Sequence, residues 1–248
     1  MGLAIDRHPA GVEVSTLERE RRKSPFTFKR LSFNDAFVEE ICKERGIKVA
    51  DFERVWPAEQ VRQYREFVIR NADLPGYDCE SRHNPTYHMF NIWDHSMVAL
   101  VYAIVARIEL RLDIREAALL HDLGKYFHFQ VGAEGEYTFH GHGERGAEIL
   151  AERESNFPWH VHQETIFLVG HHECPNLRKN TIASVASVSH GVGTQEFRKL
   201  TLLGLIDWAA KGRTCAQEEQ KRQLTRLTRE MALLADVPEG LIHYLLSK

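Results

Sequence analysis

From Asn34 onwards, apolar residues recur along most of the chain at spacings of three and four, the signature of amphipathic helices. The pattern predicts a helix over 34–46, stopped by Gly46, and another over 57–72, opened by Pro57. It continues through 92–112, 114–124, 142–155, 158–172, 179–189, 195–211, 215–235 and 238–246. One stretch breaks the period. Phe127, Phe129 and Val131, then Tyr137 and Phe139, alternate on either side of Gly132-Ala133-Glu134-Gly135, which reads as one small hairpin. Residues 1–30 are polar and carry the mixed-charge run Glu18 to Lys23, so they read as a solvated N-terminal arm or short helix. No repeat, low-complexity tract or Pro/Gly/Ser linker divides 31–248. The expected architecture is all-α: a single helical bundle domain with one small β-hairpin.

Composition narrows the function classes more than the fold. The 248 residues are 43% hydrophobic and 27% charged, as in an ordinary globular protein large enough to bury a sizeable core. The net charge of -3 calls for neither nucleic acid nor an anionic membrane. Nucleic acid stays possible without being indicated, because Glu18 and Glu20 interrupt the basic run near the N-terminus. The most apolar stretch, Met97 to Ala106, is half the roughly 20 residues that a bilayer crossing needs. The N-terminus lacks the basic start and apolar run of a signal peptide. Cys42, Cys79, Cys174 and Cys215 have no paired spacing and read as reduced thiols of a cytoplasmic protein. Cys174, beside the histidine-rich region, reads as a bystander. The amphipathic stretch 215–246 fits either the core or a second subunit, so the oligomeric state stays open.

Histidine is the unusual residue. There are 14, and all except His8 and His243 lie between His83 and His190. Imidazole is the commonest metal-binding side chain, so the cluster points to metal. The placement of certain polar residues is more specific. His95 opens the face Val98, Ala99, Tyr102, Val105 and Ala106; His121 and Asp122 end the run Ala117-Ala118-Leu119-Leu120; Asp207 shares a face with Leu200, Leu203 and Ala210. A carboxylate on such a face costs several kcal/mol unless a cation compensates it. For Asp207 that cation could be Lys211 or Arg213 in place of a metal. Several such residues on different helices suggest a metal site inside a bundle.

These residues resemble the signature of the HD superfamily of metal-dependent phosphohydrolases: His95, then His121-Asp122, then Asp207. Ala117 to Lys125 is similar to the family's central motif, a helix ending in His-Asp-x-Gly-Lys. His142, with Gly146 four residues later, looks like the first extra histidine motif of binuclear members. His171-His172-Glu173 looks like the second, with His171 favoured as the ligand and His172 as the alternative. The resemblance covers about 85–215 and implies two divalent transition metals about 3.5–4 Å apart, bridged by Asp122. Their ligands would be His95, His121, Asp122, His142, His171 and Asp207, and the donor set suits Mn, Fe, Co, Ni or Zn. His142 has a hydrogen-bonding surface role as its rival reading.

The subtype shows in what departs from other branches. The Gly-Tyr-Pro triplet of the cyclic-dinucleotide branch is absent, and Asn91 stands where its trinuclear members carry glutamate. Phe139 to His142 and Asp207 to Arg213 look like HD domains attached to tRNA nucleotidyltransferases, but the remaining sequence leaves no room for that catalytic domain. The reading is a stand-alone HD protein. Its implied activity is hydrolysis of a phosphomonoester or phosphodiester, nucleotide-like and small, by a hydroxide that the metals make available near neutral pH. Asp122 and Lys125 would be catalytic, with Lys125, Arg145 and Arg213 binding substrate. Lys125 can equally be a helix C-terminal cation, and Arg145 a surface partner of Glu148. The alternative activity is that of HD-fold di-iron oxygenases, which cleave C–C or C–P bonds with a similar ligand set.

Overall fold

A computed structural model describes residues 36–74, 88, 90–133, 137–152, 156–173, 194–212, 226 and 229–247. The N-terminal arm, the helix expected over 179–189, Cys79, Cys174, Cys215 and Arg213 lie outside the described residues. The regular elements described are helices apart from one hairpin, as the hydrophobic period predicts.

The chain enters through α1 (Ala36–Arg45), α2 (Val49–Val55) and α3 (Ala58–Asn71). The helix α2 was not predicted. Its seven residues, between Gly46 and Pro57, are too few to display a period, yet its Phe52 is fully buried. At the centre lies α4 (Ile92–Leu110), in which every residue from Ile92 to Ala106 is buried. A helix apolar all round belongs in a core, and each large aliphatic side chain buried there contributes about 1.5–3 kcal/mol. The helix ends before the expected 112 because Arg111 takes a left-handed conformation with φ 57°. Its start is fixed by Asn91, whose side chain accepts the Asp94 N–H at 2.7 Å. This cap is the role the structure gives Asn91. Asn91→Ala is expected to cost about 1 kcal/mol, read as a lower denaturant midpoint at unchanged slope.

Against α4 pack α2, α5 (Arg115–Leu120) and α8 (Thr194–Ala210). After α5 comes a 3₁₀ turn (Leu123–Tyr126), then β1 (Gln130–Val131) and β2 (Tyr137–Thr138). The two strands pair antiparallel, with Gln130 opposite Thr138 and Val131 opposite Tyr137, so the expected hairpin is present. Next are α6 (His142–Ala151) and α7 (Gln163–His171), which pack on each other; α7 also meets α5 and α8. The start of α7 corrects the expected 158. Residues 156–162 run non-helically, and there the Trp159 indole donates to Glu116 Oε1 at 2.7 Å. The hydroxyl of Thr165 reaches the other oxygen of the same carboxylate at 2.7 Å, which ties α7 to α5. The last helix, α9 (Glu239–Leu246), covers α8.

Close approach of backbones sets the geometry around the 3₁₀ turn. A Cβ on Gly124 would stand 1.9 Å from the His142 carbonyl oxygen and 2.7 Å from the Gly146 nitrogen. One on Gly146 would stand 3.2 Å from the Gly124 nitrogen and 3.1 Å from Val169 Cγ1. The glycine of His-Asp-Leu-Gly-Lys and the glycine four residues after His142 therefore serve one contact: the turn lies directly on the first turns of α6.

Candidate metal centre

Four helix ends and one turn deliver the polar side chains to a common point. His95 lies in the first turn of α4, His142 is the first residue of α6, and Asp207 sits in the last turn of α8. His172 is the residue that ends α7. His121 and Asp122 correct an expectation in detail: they follow α5 instead of continuing it, His121 keeping a helical conformation and Asp122 opening the 3₁₀ turn. His95, His121, Asp122, His142 and His172 are all buried.

The distances divide these groups into two sets around one carboxylate. His95 Nε2 lies 3.1 Å from His121 Nε2 and 2.9 Å from Asp207 Oδ1. Both of those imidazoles are 3.5 Å from Asp122 Oδ2. On the other side, His142 Nε2 is 3.0 Å from His172 Nε2, and the two lie 3.2 Å and 3.7 Å from Asp122 Oδ1. Asp122 thus offers one oxygen to each pair of imidazoles.

Backbone carbonyls decide which ring nitrogen carries the proton. His121 Nδ1 donates to the Ala118 carbonyl at 2.8 Å, His142 Nδ1 to Phe139 at 2.7 Å, and His172 Nδ1 to Val169 at 2.7 Å. A carbonyl only accepts, so each neutral ring turns a bare Nε2 lone pair inward. Two lone pairs facing each other at 3.0 Å repel unless a proton or a cation lies between them. Two nitrogens about 2.1 Å from one metal ion and at about right angles to each other are themselves about 3 Å apart. The donor set and its spacing therefore fit two cation sites: His95, His121 and Asp122 form one group, and Asp122, His142 and His172 the other.

Electrostatics keeps Asp122, Asp207 and His172 in ligand form. Burial works to raise the Asp122 carboxyl, but its neighbours His121, Lys125, His142 and His95 together hold it well below the usual carboxylate range. Asp207 is likewise pushed up by burial but held well below that range by Lys211 and by the neighbouring His121 and His95. Burial first, then His142 and His121, keep His172 well below the ordinary imidazole range. Two ammonium groups balance the charge. Lys125 Nζ is 2.8 Å from Asp122 Oδ2, and Lys211 Nζ is 2.9 Å from Asp207 Oδ2. Asp207 thus meets both readings of the sequence, one oxygen facing His95 and the other paired with Lys211.

Residues 93–234, more than half of the chain, match the HD domain family. The chain belongs to the HD-domain family. Membership implies a metal-dependent, hydrolase-type function, and the buried His/Asp groups are where an HD domain would hold its metal. No curated protein and no solved structure matches the chain.

Among the expected ligands of the HD domain, His171 is not brought to the cluster, and His172 takes its place. His171 is still in the last turn of α7, where its ring lies on that of Phe167 at 4.4 Å and its Nδ1 donates to the Phe167 carbonyl at 2.9 Å. Neighbouring helical residues point about 100° apart, and here His172 faces the cluster while the His171 ring lies along α7 against Phe167. Arg145 also departs from the substrate-binding role: its guanidinium pairs with Glu148 at 3.0 Å and Glu152 at 3.7 Å on the outer side of α6. Two further residues escaped the sequence reading. The ring of His88 stands edge-on to that of His95, centroids 4.9 Å apart, and Glu173 Oε2 lies 3.7 Å from His142 Nδ1. Only the adjacency of Glu173 to the His171-His172 pair signalled the second; nothing in the spacing signalled the first. Among the described residues, no helix is long and apolar enough to cross a membrane.

Proposed function

We propose that this HD domain is a phosphohydrolase that cleaves a phosphomonoester or phosphodiester of a small, nucleotide-like molecule. The observation that carries the reading is the division of the Asp122 carboxylate between two imidazole pairs whose Nε2 atoms converge at 3.0–3.1 Å. His95, His121, Asp122 and Asp207 would hold one divalent transition metal, and Asp122, His142 and His172 the other. Such a pair of ions, when bound, supplies a water-derived nucleophile at neutral pH and positive charge for the phosphoryl oxygens.

The chain's own residues do the rest. The carbonyls of Ala118, Phe139 and Val169 hold the Nδ1 protons of His121, His142 and His172, so each ring enters the site in one tautomer and one orientation. Lys211 keeps the Asp207 carboxylate ionised and turned inward. The buried ammonium of Lys125 sits beside the bridging carboxylate, where a non-bridging phosphoryl oxygen would find its countercharge.

Two measurements test the proposal. Protein reconstituted with Mn²⁺ and assayed without oxygen against phosphate mono- and diesters is expected to release phosphate or alcohol. Turnover that appears only with oxygen and an organic co-substrate would replace the hydrolase by an oxygenase. On the ligand assignment, His172→Ala is expected to lower bound metal from two ions to about one, whereas His171→Ala keeps two. Elemental analysis of the purified variants reads this directly, and the opposite pattern would return the ligand role to His171.

A further inference from the structure

One face of the β-hairpin is aromatic and apolar from end to end. In the observed register Phe129, Val131, Tyr137 and Phe139 alternate with the polar Gln130 and Thr138, so they share a face. Phe139 and Tyr137 are nearly parallel, with centroids 6.4 Å apart and planes at 17°. The Tyr137 ring meets that of Phe129 at 5.6 Å. The three rings are half-buried, packed on one side against the hydrophobic core and open on the other, and Val131 at the far end is 59% exposed.

The inner end of this strip is anchored in the metal centre. The Phe139 ring lies 5.8 Å from Lys125 Nζ, the ammonium that contacts Asp122, and the Phe139 carbonyl holds the Nδ1 proton of His142. The same residue therefore fixes a candidate ligand with its backbone and begins the aromatic strip with its side chain. Because the two are tied through one residue, the strip is pre-oriented towards the cluster.

We infer that this hairpin face is the binding surface for a planar aromatic group of the substrate, so that the enzyme selects phosphate esters carrying a nucleobase over the same sugar phosphate without one. The inference rests on the phosphohydrolase reading for what sits at the metals, and on the hairpin for what sits beyond them. A phosphate at Lys125 leaves the remainder of the molecule beside Phe139 and Tyr137. Stacking suits that surface because every base presents a π-face to an aromatic ring, and it needs no polar partner from the strip.

The test compares AMP with ribose 5-phosphate, which differ by the base. Binding is followed by calorimetry and hydrolysis by phosphate release, for the Mn²⁺-loaded wild type and for Tyr137→Leu and Phe139→Leu. Wild type is expected to favour AMP by roughly five- to a hundred-fold, the range that stacking one base on a ring supplies. Each variant is expected to shrink that preference towards one, with metal content and melting temperature checked to confirm an intact fold. Equal binding of the two probes by wild type, or an AMP preference that survives both substitutions, overturns the inference. If AMP is bound preferentially and the substitutions abolish that preference while neither ester is hydrolysed, the surface stands and the phosphohydrolase reading falls. If neither probe binds, both fall.

Discussion

Asp122→Asn is expected to abolish hydrolysis, by about a thousand-fold or more, and to reduce bound metal below one ion per chain. The substitution keeps the size of the side chain and removes its charge, so the effect is electrostatic. Its two oxygens serve both halves of the cluster, at 3.5 Å from His95 and His121 and at 3.2 Å from His142. Losing the shared anion therefore weakens both metals together, and loss of one electrostatic partner in such a site alone costs about 10²–10³ in rate. The variant also replaces the carboxylate beside the Lys125 ammonium, 6% exposed, by a neutral amide. Breaking a buried ion pair is strongly destabilising, by about 3–5 kcal/mol, so the metal-free variant should also unfold at lower denaturant. Phosphate release, elemental analysis and an unfolding curve on one preparation separate the two effects. Full activity with two metals retained would remove Asp122 from its bridging role.

The second large effect is expected at a residue with no chemistry. Gly124→Ala places a methyl carbon 1.9 Å from the His142 carbonyl oxygen and 2.8 Å from its carbon, and neither can yield by rotating a side chain. The 3₁₀ turn and α6 must move apart, which displaces Asp122 and Lys125 from His142. A loss of about 3 kcal/mol or more is expected, at the upper end of overpacking costs, together with the second metal. Gly240→Ala is the matching control. Gly240 lies in α9 with nothing within 4 Å of the added carbon, so alanine there is expected to be neutral or stabilising by up to about 1 kcal/mol. Equilibrium denaturation of the metal-free proteins measures both, and similar midpoints for the two variants would refute the close-packing explanation.

Gly124 and Gly146 show what was legible in the sequence and what was not. The motifs were visible as letters: glycine two residues after Asp122 and glycine four after His142. Their common purpose, the approach of Gly124 to Gly146, joins segments that no local pattern relates. The helices of the bundle followed from their period because each must bury a stripe, and α4 was clearest because it is apolar on all sides. Seven-residue α2 gave no period to read. Candidate ligands were legible where a polar residue interrupted an apolar face, as at His95 and Asp207. The choice between His171 and His172 was not, since both stand at a helix end and only the rotation of α7 against α6 selects one. Gly143 and Gly170 permit that close packing, with a Cβ on Gly143 falling 3.2 Å from the Gly170 carbonyl. Arg145 had two readings, phosphate or a surface pair with Glu148, and the structure shows the pair. Proximity to His142 in sequence suggested phosphate, but the side chain leaves the helix on the side of Glu148.

If the Asp122 carboxylate organises two metal sites, the stoichiometry of metal uptake must show it. Metal-free protein titrated calorimetrically with Mn²⁺ is expected to take up two equivalents per chain, and electron paramagnetic resonance of the loaded protein should show the coupled signal of two neighbouring ions. Saturation at a single equivalent, with the spectrum of an isolated Mn²⁺ ion, would contradict the binuclear site.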